Sequence, residues 1–236
     1  MNAKMGRFIS FEGLDGSGKS TLIAGVKREL EALGAKVLVT REPGGTPLAE
    51  EIRHLILRND QEAPVSATEV LLYEASRAQH VAKVIQPALK SGVVVLCDRF
   101  SESTVAFQCF ARGLSRTDVD QLNRFAEQGS RPELVVLLDL TVAESRRRQS
   151  SRAAGVAPVA ADLSAKSMAG AGPDRIEKEA DDFHERVRQG FLAQVREEPT
   201  RWFVIDAAMS ADELLNRVLH ELERRSWIAK ADRTNA

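Results

Sequence analysis

Gly13-Leu14-Asp15-Gly16-Ser17-Gly18-Lys19-Ser20 is the stretch that decides the fold. It satisfies the phosphate-loop pattern G-x-x-x-x-G-K-[ST] in the setting its mechanism needs. Arg7-Phe8-Ile9-Ser10-Phe11, just before it, is short, apolar and aromatic, and reads as a strand. In the segment after it, from Thr21 to Leu30, the apolar Leu22, Ile23, Val26 and Leu30 recur at helical spacing. A strand that turns through glycines into a helix points backbone N–H groups at a polyphosphate, and the helix N-terminus adds partial positive charge. Lys19 is placed to reach the β- and γ-phosphates, and the Ser20 hydroxyl to ligate Mg²⁺. A nucleoside triphosphate site is therefore expected over Gly13, Leu14, Asp15, Gly16, Ser17, Gly18, Lys19, Ser20 and Thr21.

Working outward, four more apolar runs follow at intervals: Lys36–Thr40, Val93–Cys97, Leu134–Asp139 and Trp202–Asp206. They are near-continuous rather than alternating, as strands buried on both faces of a parallel sheet are. Helical patterns separate them, so the spacing predicts a three-layer α/β fold with a five-stranded parallel sheet and helices on both faces. Ligands of such folds gather at the carboxyl ends of the strands. Asp15, Arg41, Asp98 with Arg99, Asp139 and Asp206 stand there. Pro87 should kink or break the helix predicted over Ala67–Lys90 near its last turn. Asp174-Arg175-Ile176-Glu177 reads as a helix start, with Asp174 capping and Glu177 at the reciprocal position.

The whole chain, 236 residues at 43% hydrophobic and 28% charged, fits one globular α/β domain. Residues 149–173 form an insertion whose stretch Ala153–Pro173 is rich in Ala, Gly and Ser, and a short polar tail begins near Ala229. A formal charge of −1 gives no electrostatic reason to expect nucleic acid or membrane as partner. Cys97 and Cys109 are too few for a disulfide framework, and the four histidines are scattered rather than clustered as metal ligands. The N-terminal residues lack the apolar core of a signal peptide, and no run approaches the ~18 apolar residues of a membrane span. A reducing cytoplasm is the expected compartment.

Several residues are positioned for chemistry. Asp98, ending a strand, stands where a phosphate-loop protein holds Mg²⁺ directly or through water; a simple helix cap is the competing explanation. Arg99 beside it can fork onto phosphate oxygens. In Arg41-Glu42-Pro43-Gly44-Gly45-Thr46-Pro47 the glycines, and Thr46 before a first-turn proline, are plain punctuation. Arg41 is the residue such punctuation leaves unused. Glu144, Arg146, Arg147, Arg148 and Arg152 make a dense charge run, with Arg148 and Arg152 sharing a helix face. That run is either a solvated surface or the cationic side of a lid over polyphosphate.

Taken together these segments resemble the thymidylate kinase family, bacterial type, from Phe8 to about Ala207. The resemblance rests on Phe11–Ser20, Thr40–Thr46, Leu71–Gln79, Asp98-Arg99 with Ser103-Thr104 and Ala106–Gln108, Leu138–Thr141, Asp174–Glu177 and Val204–Ala207. It implies an ATP- and Mg²⁺-dependent transfer to dTMP giving dTDP, and a homodimer. It also implies roles for individual residues. Asp15 matches an acid near the deoxyribose 3′-hydroxyl, and Arg41 and Arg99 match residues holding the dTMP phosphate. Tyr73 falls where an aromatic lies against thymine, and Arg77 matches an arginine that reaches the base. Thr104, Phe107 and Gln108 lie on the segment lining the nucleoside pocket. Lys19, Arg99, Arg148 and Arg152 are implied for the transfer step, the last two from the lid. The sequence departs from the family at three places. Gly16 stands where eukaryotic-type members carry an arginine. The lid is enlarged, which leaves Arg147, Arg148, Arg152 and Arg175 all open as its cation. Phe107 and Cys109 replace a usual tyrosine and glycine. Rival readings are another phosphate-loop nucleotide or deoxynucleoside kinase, and a nucleotide-binding regulatory protein without turnover.

Overall fold

The computed structural model describes residues 6–59, 62–153 and 174–229, with the backbone only at 152 and 153. Five strands form one sheet: β1 (Phe8–Glu12), β2 (Val37–Arg41), β3 (Val94–Asp98), β4 (Leu134–Asp139) and β5 (Trp202–Asp206). Their order is β2-β3-β1-β4-β5 and every neighbouring pair is parallel. All five coincide with the apolar runs of the sequence. β1, β2 and β3 start and end one residue later than expected, which makes Glu12, Arg41 and Asp98 their last residues. The helices are α1 (Lys19–Ala32), α2 (Pro47–Leu57), α3 (Ser66–His80), α4 (Gln86–Lys90), α5 (Ser101–Thr104), α6 (Arg116–Glu127), α7 (Val142–Ala153), α8 (Asp181–Glu197) and α9 (Ala211–Arg224).

The continuous apolar runs have the cause expected of them. Along β4, Val136 and Leu138 pack with Ile23 and Val26 of α1 and Val218 and Leu222 of α9. Val135 and Leu137 face the other way, onto Phe183, Val187 and Phe191 of α8. Both faces are buried, so neither can carry polar side chains. The chain leaves β1 toward β2 on one side and leaves its neighbour β3 toward β4 on the other, a reversal that opens a crevice at the carboxyl ends of these two strands.

Two local expectations are corrected. Pro87 does not break its helix: between α3 and α4, Val81–Ile85 wind as a π-helical turn, and Gln86 N–H donates to Val81 O five residues back. The wider pairing redistributes the carbonyl left without a donor by Pro87, which has no N–H. At Asp174 the capping box forms as read, but no α-helix follows it. Asp174 Oδ1 accepts from Ile176 N at 2.8 Å and Glu177 N at 2.9 Å, and Asp174 N donates to Glu177 Oε2 at 3.1 Å. Residues 175–178 close as turns and α8 begins only at Asp181. Arg175 is held elsewhere, with its N–H on Leu57 O and its Nε on Ile56 O at 3.1 Å, so tertiary bonds override local propensity. Of the insertion expected over residues 149–173, residues 149–153 belong to α7, while 154–173 and the tail beyond Ala229 lie outside the described residues.

The phosphate loop joins β1 to α1 against β4, and two of its glycines separate backbone strain from crowding. A Cβ on Gly13 (φ +134°) would lie 2.4 Å from Leu138 O, whereas one on Gly18 (φ +96°) would meet nothing within 4 Å. In urea unfolding of the ligand-free protein, Gly18→Ala should cost about 1–2 kcal/mol, from the left-handed backbone alone. Gly13→Ala adds a displaced strand carbonyl and should cost roughly 3 kcal/mol or more. Equal costs at the two positions would contradict this packing.

Candidate active site

The carboxyl ends of three strands stand abreast: Asp98 of β3 is in register with Phe11 of β1 on one side and with Arg41 of β2 on the other. Over this edge opens a cleft of about 720 Å³. Asp15, Gly16, Gly18, Lys19 and Ser20 border it from the phosphate loop, and Arg41, Tyr73, Arg77, Asp98, Arg99, Thr104, Phe107 and Gln108 border it from elsewhere. Gly13, Leu14, Ser17 and Thr21 shape the loop and first helical turn without bordering the cleft. The strand-end acids divide. Asp139 is taken by Arg188 in a two-pronged pair at 2.7 and 2.9 Å, and Asp206 accepts from Ala208 N at 2.8 Å. Both are structural.

At the loop end, α1 begins on Gly18 with no side-chain cap and no acid in its first turn. By contrast α2, α6 and α9 are capped by the side chains of Thr46, Ser115 and Ser210. The first N–H groups of α1 thus face the loop without an internal acceptor from a cap, the arrangement an anion satisfies. Lys19 is buried and its Nζ donates to Gly13 O at 3.1 Å and Leu14 O at 3.2 Å. Burial, joined by repulsion from Arg99, lowers its pKa from the ordinary lysine value. Asp98 Oδ1 is buried and has no hydrogen-bond partner among the described residues.

Arg99 holds the centre. Its backbone is left-handed (φ 68°), fixed by its N–H on Phe11 O at 3.0 Å. Its guanidinium donates to Asp15 Oδ1 at 2.8 Å and Ser103 Oγ at 3.3 Å, and lies 5.4 Å above the Phe107 ring. Burial opposes charge on Asp15, but Arg99 and Lys19 outweigh it and hold the carboxyl well below the usual carboxylate range. Glu12, which no sequence pattern singled out, locks the same turn. It accepts from Phe100 N at 2.8 Å and Ser103 Oγ at 2.6 Å. Burial pushes its pKa up to about 8, against the pull of Arg99 and with the push of Glu102.

At the far end, Arg41 pairs with Glu50 at 2.8 Å, and Arg53 donates to Pro43 O at 3.0 Å. Burial and the neighbouring Arg41 lower the Arg53 pKa. Arg53 lines the cleft and was also missed; its only sequence signal is a position on the buried side of α2. Burial, with Glu69 adding to it, pushes the Tyr73 phenol above its ordinary value. Arg77 borders the cleft from a buried network. Its Nε donates to Glu42 at 2.8 Å, its Nη1 to Asn123 at 2.9 Å and to Glu74, and it lies 5.1 Å over Phe100. His80 bonds the other Glu42 oxygen at 2.9 Å and Thr40 Oγ1 at 2.7 Å.

The arginine run sorts by partner. Arg146 faces the cleft but clasps Asp181, Glu177 O and Glu179 O. Arg147 is exposed and pairs with Glu144. Arg148 does not border the cleft; it reaches Glu144, Ala207 O at 2.9 Å and Gly16 O at 3.4 Å. The Arg152 side chain lies outside the described part. Arg175 is drawn to Glu69, away from the phosphate loop. The helix α7 itself is docked on the loop: Ser145 Oγ and Gln149 Nε2 both donate to Asp15 O, at 2.6 and 3.3 Å. Among the described residues no three His, Cys, Asp or Glu side chains gather as a metal cage.

The family model described as Thymidylate kinase matches residues 11–218. A thymidylate kinase of Bdellovibrio bacteriovorus is 52% identical over 225 residues, covering 95% of this chain and 99% of that protein. One from Geobacter sulfurreducens is 46% identical, covering 91% and 99%, and one from Syntrophotalea carbinolica 45%, covering 91% and 94%.

Glu12 has a thermodynamic consequence. Between the ordinary value of 4.5 and about 8 the native carboxyl keeps a proton that the unfolded one has lost. Its contribution to stability is therefore complete below the unfolded pKa and lost as pH rises through about 8. Urea unfolding of the ligand-free protein from pH 5 to 8 should show stability falling by up to ~1 kcal/mol per pH unit relative to Glu12→Gln. A constant difference between the two proteins across that range would contradict the buried, protonated state.

Proposed function

The chain belongs to the thymidylate kinase family, and from that premise we propose how its side chains carry the reaction. The enzyme transfers the γ-phosphoryl group of ATP to dTMP, giving ADP and dTDP, a step in dTTP biosynthesis. The observation that carries the assignment of roles is the pairing, in one cleft, of a phosphate loop with Arg41, Arg53 and Arg99. An acceptor that already bears a phosphate needs such cations; an unphosphorylated nucleoside does not.

In the step, an oxygen of the dTMP phosphate bonds to the γ-phosphorus while the bridging oxygen leaves with ADP. The nucleophile is already anionic, so positioning and charge neutralisation matter more than a base. The phosphate loop, Gly13 to Thr21, seats the ATP phosphates, with Lys19 leaving the loop carbonyls for the phosphate oxygens. Arg99, Arg41 and Arg53 orient the acceptor phosphate. Asp15 lies toward the sugar 3′-hydroxyl, Tyr73 against the base, and Arg77, Thr104 and Gln108 at its edges. Phe107 supports the Arg99 guanidinium by its ring face. The unpartnered, buried Asp98 Oδ1 and the Ser20 hydroxyl fit a magnesium ion, which would neutralise charge building on the phosphates. Arg148 and Arg152 serve the transfer from the lid side, Arg148 through the loop carbonyl it holds.

A homodimer and a cytoplasmic setting belong to the same proposal. Leu71 on α3 and Phe125 on the α6 packed beside it are 55% and 81% exposed, an apolar surface suited to a second copy. No described helix is long and apolar enough to cross a membrane.

Coupled ADP-release assays over dTMP, dUMP, dCMP, dGMP and thymidine should show a clear preference for dTMP; preference for any other acceptor overturns the reading. Lys19→Ala should lower kcat by roughly 10²- to 10³-fold, as loss of one preorganised charged contact does. An unchanged rate would favour the regulatory alternative. Sedimentation equilibrium should find a dimer that Phe125→Glu converts to monomer; a wild-type monomer removes the dimer from the proposal.

A further inference from the structure

Glu69 belongs to no motif, yet it is among the most buried carboxylates in the protein, at 1% exposure. It sits on α3 one turn before Tyr73. Three side chains from two segments converge on it: Gln108 Nε2 donates at 2.8 Å, Arg112 Nε at 3.3 Å, and Arg175 on the second oxygen. Gln108 is itself 1% exposed and borders the cleft, and its Oε1 is buried with no hydrogen-bond partner among the described residues.

We infer that Glu69 is a positioning residue for base selection: its carboxylate fixes which end of the Gln108 carboxamide is presented to the pyrimidine. A carboxylate between two guanidinium groups can only accept hydrogen bonds. Turning the amide over would set its carbonyl oxygen against the carboxylate oxygen, with both side chains only 1% exposed. The amide is thus held with Nε2 on Glu69, and the acceptor Oε1 is left for the ligand. Thymine and uracil carry a hydrogen on N3 and answer an acceptor there. Cytosine carries a lone pair on N3, and two acceptors face each other. A mismatched buried polar pair of this kind costs on the order of 10- to 100-fold in affinity or rate. The 5-methyl group is not read by this device, so dTMP and dUMP are treated alike by it. The inference rests on the pyrimidine monophosphate reading of the cleft.

The test is kcat/KM for dTMP, dUMP and dCMP in the wild type, Glu69→Gln and Arg112→Ala. An amide at 69 can offer N–H to Gln108 and lets the carboxamide turn, so the dTMP:dCMP ratio should fall about 10- to 100-fold. The dTMP:dUMP ratio should stay constant. Arg112→Ala removes an ion pair from the same carboxylate but leaves it an acceptor, and should keep both ratios. A dTMP:dCMP ratio unchanged in Glu69→Gln, or lowered equally by Arg112→Ala, overturns the inference and makes Glu69 merely structural. If Glu69→Gln does not fold, Glu69→Gln/Arg175→Met, which removes a buried guanidinium with its partner, decides by the same ratios. A wild type indifferent between dTMP and dCMP would instead overturn the substrate reading, and this inference with it.

Discussion

The Asp15–Arg99 ion pair is the interaction on which the rest of the cleft depends. Two carboxylates, Asp15 and Asp98, stand where β1 and β3 end, beside the protonated Glu12, and Arg99 is the countercharge to both. The Asp15 side chain is 36% exposed, so the weight of the pair lies in the geometry it fixes, and the guanidinium must be held firmly. The backbone accepts a left-handed residue to do this, and β1 fixes that turn twice, through Phe11 O and the Glu12 carboxyl. The consequence is functional. In the proposed mechanism the loop assigned to ATP and the strand end assigned to the acceptor become one rigid unit, so neither can drift by the ångström that phosphoryl transfer does not tolerate.

Beneath the acceptor end lies a second constraint, made of buried charge rather than apolar packing. Glu42 spans Arg77 and His80, and Glu69 spans Gln108, Arg112 and Arg175. Such networks contribute little net stability, because desolvation offsets most of the attraction. What they supply is geometry: each carboxylate dictates the orientation of groups that border the cleft. Apolar residues of the same volume would pack as well and would leave those groups unaligned. Both networks also bind elements distant in sequence, α3 to the end of β2 in one case and α3 to the turns at residues 175–178 in the other.

That distance explains what was legible in the sequence. The five strands and the phosphate loop were readable because periodicity and the glycine-lysine pattern are local. Arg41 stood out because turn chemistry accounted for its neighbours and not for it. Glu12 and Glu69 were illegible, since what distinguishes them is burial beside partners dozens of residues away. Arg53 was hidden in an ordinary helical face. Asp174 marks the limit of local reading from the other direction. Its capping box is correct in every hydrogen bond, yet Arg175 is held by Leu57 and Glu69, and one turn is all that forms.

The arginines of α7 show why composition could not assign the lid's chemistry. Sequence presents them as one run, but among the described side chains the helix sends Arg146, Arg147 and Arg148 to different sets of partners, with Glu144 shared by the last two. Arg147 alone answers to the solvated-charge reading. Arg146 and Arg148 are spent on backbone carbonyls: those of Glu177 and Glu179 for one, of Gly16 and Ala207 for the other. With Ser145 and Gln149 on Asp15 O, Arg148 clamps α7 to the phosphate loop, while Arg146 ties it to residues 177–181. In the proposed mechanism a guanidinium so committed acts on the phosphates by holding the loop in shape. To act by direct contact it has to give up those carbonyls, and the loop would lose the support that makes the contact useful.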